Sequence, residues 1–159
     1  MHRLIVADTG PLIALARIEL LETLPVLFRQ ILLTPTVLAE CEARPDRGEG
    51  LAIRAALTTG RFQLQTPSAD LPTLGIDAGE TSAIALALEL GAGLLMDDKA
   101  GRAVAKRLDL AVIGTAGVLV LAKRKAAITT VRPALDALVA SGYFLGPDVI
   151  AQVLRAAGE

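Results

Sequence analysis

Leu4-Ile5-Val6-Ala7-Asp8-Thr9-Gly10-Pro11 reads as a buried strand that stops at an acid and turns into a helix. Four consecutive apolar residues suit a strand covered on both faces, the habit of parallel sheets. Pro11 fits the first turn of a helix, and Asp8 or Thr9 is placed to cap it. The same unit returns downstream. Gly93–Met96 is a second buried strand, followed by Asp97-Asp98 and a helix running to about Leu108. Ala111–Ile113 is a short strand, followed by a helix that opens at Gly114-Thr115-Ala116-Gly117.

The remaining pattern fills in around these units. Leu12–Ala16 and Leu20–Phe28 read as short helices and Ile31–Leu33 as a strand. Thr34-Pro35 opens a helix to about Ala43, Arg44–Gly48 breaks the chain, and Leu51–Leu57 is helical again. Phe62–Thr66 alternates like a strand, and Pro67–Ile76 reads as loop. Asp77-Ala78-Gly79-Glu80 opens a strong helix to Leu90, closed by Gly91. Val131–Ala140 and Asp148–Ala156 read as C-terminal helices. Alternating strands and helices predict an α/β fold with a central, mostly parallel sheet and helices on both faces. The 159 residues suit one domain spanning 1–159.

Composition removes several classes of chemistry. The sole histidine is His2, at the terminus, so neither Ser-His-Asp nor Cys-His catalysis has a base, and histidine-rich zinc sites are ruled out. Cys41 is the single cysteine, so no internal disulfide forms, and a cytoplasmic location is expected. No apolar stretch is long enough to span a bilayer, and four apolar residues after Arg3 do not make a signal peptide. With no Trp, one Tyr and three Phe, a surface that reads bases by aromatic stacking is not expected. Net charge is −1, unevenly spread: residues 99–132 carry Lys99, Arg102, Lys106, Arg107, Lys123, Arg124, Lys125 and Arg132 against one acid, Asp109. That is compatible with a phosphate-attracting face beside an acidic centre, or with an ordinary solvated surface.

Acids must therefore carry any chemistry. In parallel α/β sheets the ligand crevice lies at the strand carboxyl ends. Asp8, Asp97 and Asp98 each follow a predicted strand directly, and Thr115 follows another. Two carboxylates about 4 Å apart repel by roughly 4 kcal/mol at an effective dielectric near 20, so a convergent set calls for protonation or a cation. Oxygen ligands of this kind suit Mg²⁺ or Mn²⁺, which can lower the pKa of a bound water and neutralise phosphate charge. Each acid also has a plain structural role open to it. Asp8 can cap a helix and Glu40 can face solvent. Glu80 can complete a capping box with Asp77, and Asp98 can cap a helix and pair with Arg102.

Four segments resemble the ordered motifs of PIN domains, and the likeness covers essentially the whole chain. Val6-Ala7-Asp8-Thr9-Gly10-Pro11-Leu12-Ile13 resembles the opening motif, with Gly10 where Ser is usual. Val37-Leu38-Ala39-Glu40 resembles the second, Leu74 to Ile84 the third, and Leu94 to Arg102 the fourth. The resemblance, nearest to a branch related to the VapC-type toxins of toxin–antitoxin pairs, implies a PIN-like three-layer fold. It implies a Mg²⁺- or Mn²⁺-dependent endoribonuclease acting on RNA, often homodimeric and often neutralised by an antitoxin protein. Carried over motif by motif, the metal-holding acids are Asp8, Glu40, Glu80 and Asp97, with Asp98 as a further catalytic acid. Thr9, Lys99, Arg102 and the strand-end hydroxyl Thr115 are substrate-binding candidates, and the Lys123-Arg124-Lys125 run is a further holder of phosphates. Two other readings stand beside it: a catalytically silent PIN-like domain that binds partners, and a receiver-like phosphoacceptor domain. Receiver-like domains place an acid pair after the first strand, whereas here the pair comes late and the lone Asp8 early.

Overall fold

The computed structural model describes residues 3–43, 48–72 and 74–159. Its sheet has five strands: β1 (Leu4–Ala7), β2 (Gln30–Leu33), β3 (Phe62–Leu64), β4 (Gly93–Leu95) and β5 (Val112–Ile113). They lie in the order β3-β2-β1-β4-β5, and every ladder is parallel. Register pairs Ile5 with Ile31 on one side and with Gly93 on the other. The apolar runs of β1, β2 and β4 are buried almost throughout, as expected of central strands covered on both faces. The edges are short: β3 buries only Phe62, and β5 has two half-buried residues.

Helices α1 (Thr9–Arg17), α2 (Thr23–Leu27), α3 (Pro35–Glu42) and α4 (Glu49–Thr58) connect β1 through β3. Helix α5 (Ala78–Leu90) returns the chain across the sheet to β4, and α6 (Lys99–Arg107) leads to β5. Helices α7 (Thr115–Arg124), α8 (Arg132–Ala140) and α9 (Pro147–Ala156) follow. Right-handed crossovers put α1–α4 on one face of the sheet and α5 with α6 on the other. In the contacts α1, α3 and α4 pack together and α5 packs on β1, β4 and α6, while α3 and α5 also meet. This is the three-layer α/β arrangement expected from sequence. Leu12, Leu15, Leu24, Ile53, Ile84 and Leu94 fill its interior. Among the described residues no helix is long and apolar enough to cross a membrane.

Most elements fall where the pattern puts them, and local chemistry explains why. Thr34 caps α3 through the Val37 N–H at 3.2 Å, and Pro35 takes a first-turn position that needs no donor. Gly91 ends α5 in the left-handed region at φ 62°, where glycine carries no steric penalty. One helix is shorter than expected. Leu20–Glu22 form a turn, closed by Thr23 Oγ1 and N–H bonds to Leu20 O, and α2 begins only at Thr23. Pro25 has no N–H to give Leu21, so it must sit in a first turn, and the helix cannot reach back to Leu20. The break expected at Arg44–Gly48 lies largely outside the described residues, as does His2; Gly48 itself sits at φ 78° before α4.

Candidate active site

The strand order reverses between β1 and β4, which opens a crevice beyond their carboxyl ends. Asp8 leaves β1 there, and its N–H donates to Leu95 O at 2.9 Å, tying the two strand ends together. Asp8 occupies the cap position of α1, yet its side chain makes no cap bond. It is 5 % exposed, and Oδ1 has no hydrogen-bond partner among the described residues. Burial pushes this carboxyl up to about 7; the Thr9 N–H pulls it down, and the charges of Glu80, Asp77 and Glu40 add to the rise. A solvated cap would not look like this.

Glu40 reaches the same place from α3. Thr9 Oγ1 donates to Glu40 Oε2 at 2.6 Å. On its other side the carboxylate lies against Gly79, where any Cβ would overlap both oxygens. Glu80 is buried one residue further along α5 and does complete a capping box: its N–H donates to Asp77 Oδ1 at 2.8 Å, and the Asp77 N–H to Glu80 Oε2 at 3.3 Å. The structural role is therefore real, and its Asp77 N–H bond lowers the Glu80 carboxyl, but not enough to offset what raises it. Burial, then Asp77 and Asp98, raise the Glu80 carboxyl, and Glu40 adds to them. Asp8, Glu40 and Glu80 thus share one field.

Asp97 closes the opposite side of the crevice, just beyond β4. It accepts the Thr115 N–H at 2.7 Å and the Thr115 hydroxyl at 2.6 Å, so the start of α7 holds both its oxygens. Asp98 is exposed and caps α6 through the Gly101 N–H at 2.8 Å. It does not pair with Arg102. That guanidinium donates instead to Met96 O at 2.9 Å and lies beside Asp97 across Gly114, whose missing Cβ leaves room for both. Lys99 is exposed in the first turn of α6. The Lys123-Arg124-Lys125 run does not join them. It sits at the far end of α7, about 15 Å of helix from Thr115, and Lys123 is bound to Glu159.

A family profile described as PIN domain, DUF3368, matches residues 4–159. The chain belongs to this family of PIN domains. No curated protein matches it. Among solved structures it is similar to a PilT N-terminus domain protein, SSO1118, from the hyperthermophilic archaeon Sulfolobus solfataricus P2. That similarity has 18 % identity, covers 72 % of this chain and 89 % of the other, and has a TM-score of 0.48. PIN domains are typically nucleases and generally use divalent metals.

The PIN-domain acids suit a hard cation in kind, since all are oxygen donors, and the buried, partnerless Asp8 Oδ1 is an atom that a cation would satisfy. As they stand, no three His, Cys, Asp or Glu among the described residues are grouped closely enough to hold an ion. Thr115 holds Asp97 and Thr9 holds Glu40. Sequence reasoning missed two groups. Asp77, read only as a cap, is part of the field on Asp8 and Glu80. Tyr143, in the α8–α9 turn, has its phenol against Asp97 and Thr115; burial first, then Asp97, keep it protonated. Nothing in the local pattern Gly142-Tyr143-Phe144 signals this. Cys41 lies behind Glu40, and burial, with Asp8 and Glu40 beside it, pushes its thiol up to about 12, so it is no nucleophile.

Proposed function

We propose that this PIN domain is a Mg²⁺- or Mn²⁺-dependent endoribonuclease whose metal is held by Asp8, Glu40, Glu80 and Asp97. The observation that carries the reading is the Asp8 carboxyl: buried, partnerless at Oδ1, and facing three other acids. Such a group stays neutral by holding its proton or is ionised beside a positive charge, and a strongly shifted acid in a crevice is the usual mark of a functional site. The bound cation supplies a Lewis acid that polarises a phosphoryl oxygen and a water.

The chain's own residues do the positioning. Thr9 fixes Glu40, and Thr115 fixes Asp97, so two acids are aimed before substrate arrives. Glu80 stays anchored to the start of α5 through the capping box. Asp98 sits beside Glu80 across Gly101 and adds to the negative field that retains the cation. Lys99 and Arg102 flank the crevice and attract the phosphates on either side of the cut. Isothermal titration of Mn²⁺ tests the reading. Wild type is expected to bind one or more ions, and Asp8→Asn to weaken binding at least tenfold; equal binding by both removes Asp8 from the site.

A role as the toxin of a toxin–antitoxin pair, in the cytoplasm and as a homodimer, belongs to the same proposal. The apolar side chains in and beside α2 and along α7 are largely core: Leu24, Leu27, Phe28, Val118 and Leu119 are buried. Exposed large apolar side chains among the described residues include Val26, Leu51, Val139, Phe144 and Val149, with Phe144 91 % exposed. A homodimer would have to gather several of these into one contiguous patch. A clean monomer at micromolar concentration in sedimentation would count against the dimer. The silent-domain reading predicts metal binding without RNA cleavage.

A further inference from the structure

A cleft of about 610 Å³ opens beside the acids, between the start of α3, the start of α5 and the loop after β3. That volume lies in the range of roughly 300–1,000 Å³ typical of small-molecule sites. It shares α3 and α5 with the acids: Ala78 lines it next to Gly79, against which the Glu40 carboxylate lies. Thr34 follows β2 as Asp8 follows β1, and Ser82 stands two residues beyond Glu80 on α5.

The lining is selective in two ways. It contains no Lys or Arg, so nothing there would hold a phosphate. Its polar groups are hydroxyls and one carboxylate, Asp70. Three of the hydroxyls already spend their protons inside the protein. Ser82 Oγ donates to Gly79 O at 2.8 Å, so in its 2.7 Å contact with Thr34 the Thr34 hydroxyl is the donor. Thr81 Oγ1 likewise spends its proton on Asp77 O at 2.8 Å. Asp70 is exposed and has no hydrogen bond or ion pair among the described residues. Pro35, Pro67, Leu71 and Ile76 supply apolar walls for a flat ring.

We propose that this cleft binds one base of the RNA substrate and prefers guanine, with Asp70 reading its edge. Guanine alone among the four bases presents two adjacent donors, N1–H and the N2 amino group, that match the two oxygens of a carboxylate. Uracil offers a single donor flanked by carbonyls, which Asp70 repels. The inference rests on the nuclease reading for its ligand, but its test needs no cleavage.

Fluorescence anisotropy in EDTA, with labelled hexanucleotides of uridine carrying one central guanosine, inosine or uridine, measures it. Wild type is expected to bind the guanosine oligomer about fivefold or more tightly than the inosine and uridine ones. Asp70→Asn should erase that preference, since its amide replaces one acceptor by a donor. Thr66→Trp, which fills the cleft from its exposed rim, should erase it too. Equal binding of the three oligomers by wild type, or a preference that survives in both variants, overturns the proposal. If wild type discriminates in EDTA yet cuts no RNA with Mn²⁺, the subsite stands and the nuclease reading fails. Cleavage without base preference in either assay has the opposite meaning.

Discussion

Asp8 titrates in the wrong range for a surface acid, and that has a sign. Unfolded, it takes up a proton only near pH 4; folded, it holds one up to about 7. Between those values the folded state binds more protons, so stability falls as pH rises through the window. Asp8→Asn carries no such charge. In EDTA the variant should match wild type near pH 4 and exceed it at pH 8, by on the order of 4 kcal/mol. Urea unfolding at the two pH values checks this, and a variant less stable than wild type at pH 8 would contradict it. Mn²⁺ should reverse the order at pH 8, because only the wild type gains the ion's binding energy. Thr115 offers a second residue-scale test. Thr115→Val keeps the β-branched shape but removes the hydroxyl bond to Asp97 Oδ2. A charge-assisted bond of this kind contributes about 1.5–3 kcal/mol, less where Asp97 meets solvent. A melt that does not move would mean the hydroxyl is not holding the acid.

Helix α5 carries structure and site at once, and the two can be separated at Gly79. Gly79→Ala improves helix propensity by up to about 1 kcal/mol, yet its Cβ would overlap the Glu40 carboxylate. The fold should therefore survive with little change in melting temperature, while Mn²⁺ affinity and RNA cleavage fall about tenfold or more. Full activity in Gly79→Ala would mean that Glu40 is not needed where it stands. The start and stop of α5 were legible in sequence because both depend on neighbours in the chain: the Asp77–Glu80 box and Gly91. So were β1 and β4, whose continuous apolar runs end in acids. The start of α2 was not, because the apolar run Leu20-Leu21 continues the helical pattern while Pro25 denies Leu21 a bond. Nor were the partners of Arg102 and Tyr143 legible: spacing favoured Asp98 for Arg102, whereas the fold brings Met96 O and Asp97 near. What sequence supplied for the site was the set of acids at strand ends; which oxygen is held and which is left alone depends on contacts across elements.

At the scale of the whole molecule, a net charge of −1 gives no general pull on RNA. The proposed attraction comes from Lys99 and Arg102 beside the crevice, while Lys123, Arg124 and Lys125 lie a helix length away. Two phosphate contacts on a single strand predict a log–log salt slope of about −1.4 (two times 0.7) for RNA binding. Replacing both Lys99 and Arg102 by Gln should flatten it, and a steep slope that persists would assign binding to another face. The central claim is that one carboxylate crevice at the β1/β4 switch point cuts RNA with a divalent metal. Incubating the purified protein with a mixed RNA pool, beside Asp8→Ala and Asp97→Ala, tests it most directly. Cleavage by wild type with Mn²⁺ or Mg²⁺, lost in EDTA and in both variants, is the predicted result. Cleavage that survives EDTA, or persists equally in the two variants, or is absent in wild type with either metal, would contradict it.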